Sequence, residues 1–125
     1  GDLVCGGVFP YMGDADVKAW VKALDEIAAL KFKTLIPGHG KTGPKERLLK
    51  ETRKLLADLC AEVRKAKAAG MSLEEAKTKV RLDSYAKWPA RDELLPIAVE
   101  RLWGQELPEF KMPAGVKPAA TPARK

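Results

Sequence analysis

One histidine, His39, stands between two glycines in the run Leu35-Ile36-Pro37-Gly38-His39-Gly40. A neutral imidazole is a strong nitrogen donor for a metal ion and a proton carrier near neutral pH. The preceding Lys33-Thr34-Leu35-Ile36 is short and β-prone. Pro37 ends strand pairing, and the flanking glycines permit a sharp turn. His39 is thus expected just past the C-terminal end of a strand, the edge at which α/β proteins bind ligands. Asp2 is the second candidate. It heads the apolar run Asp2-Leu3-Val4-Cys5, bounded by Gly6-Gly7, which reads as the end of a buried strand entering a loop. A carboxylate there must be solvated, capped or metal-bound, because burying it bare is expensive.

The elements that must position these two residues follow from periodicity. Residues 6–13 read as a loop. Asp14 or Asp16 can N-cap a helix running to about Leu30, with Val17, Trp20, Val21, Leu24, Ile27 and Ala28 as its apolar stripe. Residues 1–40 therefore predict one β-α-β step whose strand ends deliver Asp2 and His39. A helix is expected from about Pro44 to Ala69, burying Leu48, Leu49, Thr52, Leu55, Leu56, Leu59, Cys60 and Val63. Gly70 stops it, and Ser72-Leu73-Glu74-Glu75 forms a capping box for a short helix to about Val80. A last helix spans Arg91 to Gly104, with Leu94, Leu95, Ala98, Val99 and Leu102 inward. Pro96 fits it only in the first turn. After Leu107 the periodicity stops, and Pro108, Pro113, Pro118 and Pro122 amid Ala and Lys predict a disordered tail.

Gly1-Asp2-Leu3-Val4, the helix through Trp20, and Ile36-Pro37-Gly38-His39-Gly40 together resemble the C-terminal half of the metallo-β-lactamase fold. Gly70-Met71-Ser72-Leu73-Glu74-Glu75-Ala76 and Tyr85-Ala86-Lys87-Trp88 are similar to the helical extension of its β-lactamase-like and quinoprotein-relay-type hydrolases. The resemblance covers residues 1 to about 107. It implies an α/β fold class: the C-terminal half of an αββα sandwich at residues 1–43, a helical extension at 44–107 and the tail at 108–125. It also implies a site of two metal ions, zinc or another divalent metal, with Asp2 bridging both and His39 binding the second. Carboxylate and imidazole suit such ions, which hold a hydroxide and polarise a carbonyl or phosphoryl oxygen. The loop holding Phe9, Tyr11 and Met12 would border the cleft.

The family's His-x-His-x-Asp-His motif and its further histidine have no counterpart here. An Asp–His pair falls short of the roughly three protein ligands of a catalytic zinc. The expectation is therefore the second half of a di-metal hydrolase acting on an ester, thioester, amide or related bond of a small molecule, and inactive alone. A sheet lacking its other strands would expose an edge and uncovered core. The alternative is a non-catalytic helical module that binds a partner.

Composition narrows the classes further. The 125 residues suffice for one ordinary domain. No apolar run approaches the roughly 20 residues of a membrane-spanning helix. One His and two Cys exclude a self-contained zinc finger and a disulfide-rich scaffold. No signal peptide is readable after Gly1, and neither cytoplasm nor periplasm is favoured. The net charge is +6, with four basic against five acidic residues in 1–40 and nineteen against twelve beyond. Such a balance can serve an anionic partner. Here the cations alternate with acids on helix faces, and no basic–aromatic stripe offers a base-stacking platform, so nucleic acid is not the expected partner. Trp20, Trp88 and Trp103 read as packing anchors, and Cys5 and Cys60 as small buried fillers.

Overall fold

The stretch from Lys45 to Ala68 contains no glycine or proline and repeats leucine at three- and four-residue steps. It forms the longest helix, α2 (Lys45–Ala68). All eight of its expected inward residues, from Leu48 to Val63, are buried. Glu46 in the first turn and Lys65 and Lys67 in the last match the helix dipole. The helix ends where Gly70 takes a left-handed conformation, and the Met71 N–H donates back to the Ala66 carbonyl at 3.1 Å.

The computed structural model describes residues 2–110. The other elements are β1 (Cys5–Gly6), α1 (Val17–Ala29), β2 (Thr34–Leu35), β3 (His39–Gly40), β4 (Gly43–Pro44), α3 (Leu73–Lys79) and α4 (Arg91–Trp103). A 3₁₀ turn at Asp83–Tyr85 links α3 to α4. Asp16 caps α1 by accepting from the Ala19 N–H at 3.0 Å, and Ser72 caps α3 by accepting from the Glu75 N–H at 3.2 Å. Helix α2 packs against α1, α4, β1, β2 and β4. The core collects along it, with Leu55, Leu56, Leu59, Cys60 and Val63 fully shielded and Val99 and Leu102 of α4 opposite. Trp20 is buried, and Trp88 and Trp103 pack against the core from its margin.

The expected half of an αββα sandwich is not what forms. The described residues are mostly helical, 55% helix against 7% strand, with two sheets of two strands each among them. The reason lies in the punctuation. Gly6-Gly7, Pro37-Gly38 and Pro44 cut each β-prone run to a two-residue ladder. Such ladders bury too little apolar surface to build a layer, and α2 supplies the core instead. The pairing also differs from a simple β-α-β step. β1 runs parallel to β3, with Cys5 opposite His39, whereas β2 pairs antiparallel with β4. His39 thus lies within a strand rather than after one.

Pro96 falls in the second turn of α4, not the first. Its missing N–H leaves the Asp92 carbonyl without a helical donor, which is tolerable because Asp92 is exposed to water. Of the loop residues expected to border a cleft, Met12 is buried in the core at 0% exposure, and Phe9, at 1%, is anchored there while lining a cleft beside Asp2 and His39. Tyr11 between them is exposed. Of the expected tail, residues 111–125 lie outside the described residues. No helix among the described residues is long and apolar enough to cross a membrane.

Among the described residues one charged group enters the core. Asp58 on α2 accepts from the Tyr85 hydroxyl at 2.6 Å and from Lys54 Nζ at 2.7 Å, and Trp88 meets the Tyr85 ring edge-on. The carboxylate is therefore partnered twice, as a buried charge requires. Among the described residues no buried side-chain nitrogen or oxygen lacks a partner. Burial, then the bond to Asp58 and its charge, pushes the Tyr85 hydroxyl well above the usual tyrosine range. Burial likewise pushes the Cys60 thiol up to about 11, partly offset by Arg64. Both groups are held neutral by the fold. Their contribution is complete below the unfolded-state values, about 8.5 for Cys and 10 for Tyr, and is lost as pH rises through the folded ones. Chemical denaturation should therefore show stability falling steadily from about pH 9 to pH 11. Cys60→Ala should remove its own share of the slope, and an unchanged slope would contradict the shielding of Cys60.

Candidate functional site

Asp2 and His39 are brought together from either side of α1 by a short chain of backbone contacts. Thr52 lies on the inward face of α2 with no exposure. Its hydroxyl donates to the Leu48 carbonyl at 2.9 Å and accepts from the Cys5 N–H at 3.0 Å. That second bond ties β1 to the helix. The Trp20 indole N–H reaches the Leu3 carbonyl at 2.7 Å and fixes the approach to β1 from the α1 side. β3 is then laid along β1 in parallel register, and the Lys41 N–H donates to the Gly6 carbonyl at 3.0 Å. The two backbones approach too closely for a side chain. A Cβ on Gly6 would collide with the Lys41 backbone, and one on Gly40, whose φ is +91°, with the Gly6 backbone. Both positions therefore need glycine.

The outcome is a carboxylate beside an imidazole. Asp2 Oδ1 lies 3.1 Å from His39 Nε2, and the two side chains are 76% and 74% exposed. An exposed pair of this kind adds little to stability. Both groups are free to meet something arriving from solvent. Among the described residues no cluster of three or more His, Cys, Asp or Glu could hold a metal ion. By donor type the pair fits a zinc-like ion, with one carboxylate and one imidazole. By number it supplies two donors of the roughly three that a catalytic zinc takes from protein.

Beside the pair opens a cleft of about 240 Å³. Val8, Phe9, Pro10 and Tyr11 form one wall, and Ala90 and Leu94 at the start of α4 form the other. The walls are joined where the Phe9 N–H donates to the Pro89 carbonyl at 3.0 Å. Cys5 also lines the cleft. Burial pushes its thiol up to about 11, partly offset by the Thr52 hydroxyl and reinforced by the charge of Asp2. It is a neutral wall group at physiological pH and not a thiolate nucleophile.

Sequence reasoning singled out Asp2 and His39 and placed Thr52 on the buried face. It missed the positioning role of Thr52, whose signal is a hydroxyl on an otherwise apolar helix stripe. It also missed Val8, Ala90 and Leu94, which no local pattern connects to Asp2. No family model matches the chain, and no curated protein matches it.

Thr52→Val keeps the shape but removes the acceptor of the Cys5 amide. It should destabilise the fold by about 1–3 kcal/mol in urea denaturation, with Thr52→Ser costing clearly less. Equal stability of wild type and Thr52→Val would refute the anchoring role.

Proposed function

We propose that this chain contributes Asp2 and His39 to the metal centre of a hydrolase, whose other ligands come from polypeptide outside these 125 residues. The observation that carries this reading is the 3.1 Å separation of Asp2 Oδ1 and His39 Nε2 on a solvent-facing rim. Two donors bound to one tetrahedral ion at about 2.0–2.2 Å each sit roughly 3.3–3.6 Å apart, a small opening of the present contact. The likeness of Gly1-Asp2 and Pro37-Gly38-His39-Gly40 to the metallo-β-lactamase motifs supports the same assignment, without the αββα sandwich. In it Asp2 and His39 would be the residues of this chain that hold zinc or another divalent metal. Exposed apolar side chains near the short strands, Ile36 at 80% and Leu3 at 45%, are consistent with a surface that further polypeptide covers.

A metal bound here would polarise a carbonyl or phosphoryl oxygen and make bound water acidic. The chain's own contribution is positional. Thr52 holds β1, β1 holds β3, and the register sets Asp2 against His39. The substrate class under this reading is a small molecule with an ester, thioester, amide or related bond. The isolated chain is expected to show no hydrolysis, for lack of ligands.

His39 is the sole histidine, so its ring gives an unambiguous NMR signal. Titrating the isolated chain with zinc should shift the His39 ring resonances, and Asp2→Asn should weaken the effect by roughly tenfold or more. A ring signal unmoved at millimolar zinc, or equal binding by Asp2→Asn, overturns the metal reading. The closed core around α2 favours a second reading, the non-catalytic helical partner-binding module. A cooperative melt without any zinc response would select it.

A further inference from the structure

The cleft beside Asp2 and His39 has an unusual division of chemistry. Its polar groups sit at one end, where Asp2 and His39 stand, with the Tyr11 hydroxyl on an exposed side chain. The remainder is the neutral Cys5 thiol and the carbon of Val4, Val8, Phe9, Pro10, Ala90 and Leu94. Among the described residues no Lys or Arg lines it. Among the lining residues only His39, already set against Asp2, could meet an anionic substituent, and Asp2 would repel one. An apolar group can enter without stripping water from an unpaired charge. At about 240 Å³ the space falls below the roughly 300–1,000 Å³ of pockets for drug-sized ligands, so it fits a short group.

The walls are built to persist. Phe9 is anchored in the core, and its N–H is fixed to the Pro89 carbonyl. Leu94 stands on α4, and the Leu94 N–H donates to the Ala90 carbonyl at 2.9 Å, which fixes one wall residue against the other. Val8 and Leu94 are half-buried, as residues lining an open cleft should be.

We propose that this cleft selects the short, uncharged hydrocarbon chain of an ester-type substrate, with the scissile carbonyl held at the Asp2–His39 end. The substrate class rests on the hydrolase reading above, but the binding of hydrocarbon in the cleft has its own readout. The probes are methyl acetate, butyrate, hexanoate and octanoate, titrated into the metal-free chain while the methyl NMR signals of Val8 and Leu94 are followed. Affinity should rise by about fourfold per added methylene and then level off when the cleft is full. Val8→Trp should fill the cleft and abolish the chain-length dependence. Leu94→Ala should move the levelling-off to a longer chain, which gives a second test should the tryptophan variant fold poorly. Affinity independent of chain length, methyl signals that do not respond, or an unaltered profile in the folded variants would overturn the proposal. Ester binding without a zinc response at His39 would sink the metal reading and leave the hydrocarbon cleft standing. A zinc response without ester binding would do the reverse.

Discussion

The Thr52 hydroxyl joins the two kinds of structure in this chain. It sits in the middle of an apolar helix face, where a hydroxyl without partners would be costly. Both of its capacities are used, one toward Leu48 in its own helix and one toward Cys5 forty-seven residues earlier. The first bond is local and available to any buried helical threonine. The second is not local, and through it the position of β1 depends on α2. β3 depends in turn on β1, and His39 on β3. The candidate site is therefore referenced to the longest and best-buried helix of the molecule, although neither Asp2 nor His39 belongs to a helix.

This dependence explains how such short strands can hold a geometry. A two-residue ladder has few hydrogen bonds and almost no face to bury, and alone it would not persist. Here β1 and β3 are pressed together by glycines and braced by Thr52 from one side and Trp20 from the other. The helices also secure one another's ends. The Lys45 ammonium donates to the Ala28 and Leu30 carbonyls at the end of α1, and Gln105 bonds Ala15 and Val17 at its beginning. Arg64 likewise donates to the Leu107 and Pro108 carbonyls after α4. The ends of α1 and the chain after α4 are thus held by long side chains from other elements, which leaves few backbone groups unsatisfied.

The candidate site shows a contrast between what is finished and what is not. The core is closed, the buried Asp58 carboxylate is doubly partnered, and the Cys5 and Cys60 thiols are neutral. The Asp2–His39 pair is open to solvent. A structural ion pair would be expected to gain from burial or from further hydrogen bonds, and among the described residues this one has neither beyond its own contact. Its position on the rim of an apolar cleft matches the usual composition of small-molecule sites, with few polar groups fixed at the end of a carbon-lined space.

Much of the helical architecture was legible in the sequence. The leucine spacing of residues 48–63, the caps at Asp16 and Ser72 and the stop at Gly70 are local signals, and local hydrogen bonding and amphipathicity follow from them directly. His39 and Asp2 were legible as candidates because their flanking glycines, proline and apolar runs restrict what the backbone can do around them. The sheet was not legible. The runs 2–5 and 33–36 have the composition of strands, but strand pairing is a relation between distant segments, and β1 chose the His39 turn over the run at 33–36. The membership of Phe9 and Met12 in the core was hidden for the same reason, since a loop has no period to read. By itself the sequence determined where the helices begin and end and which faces they bury. The tertiary structure alone decided that the site hangs from Thr52, that its cleft is shared with the start of α4, and that helices rather than sheets make the core, because each of these is settled by contacts between residues far apart in the chain.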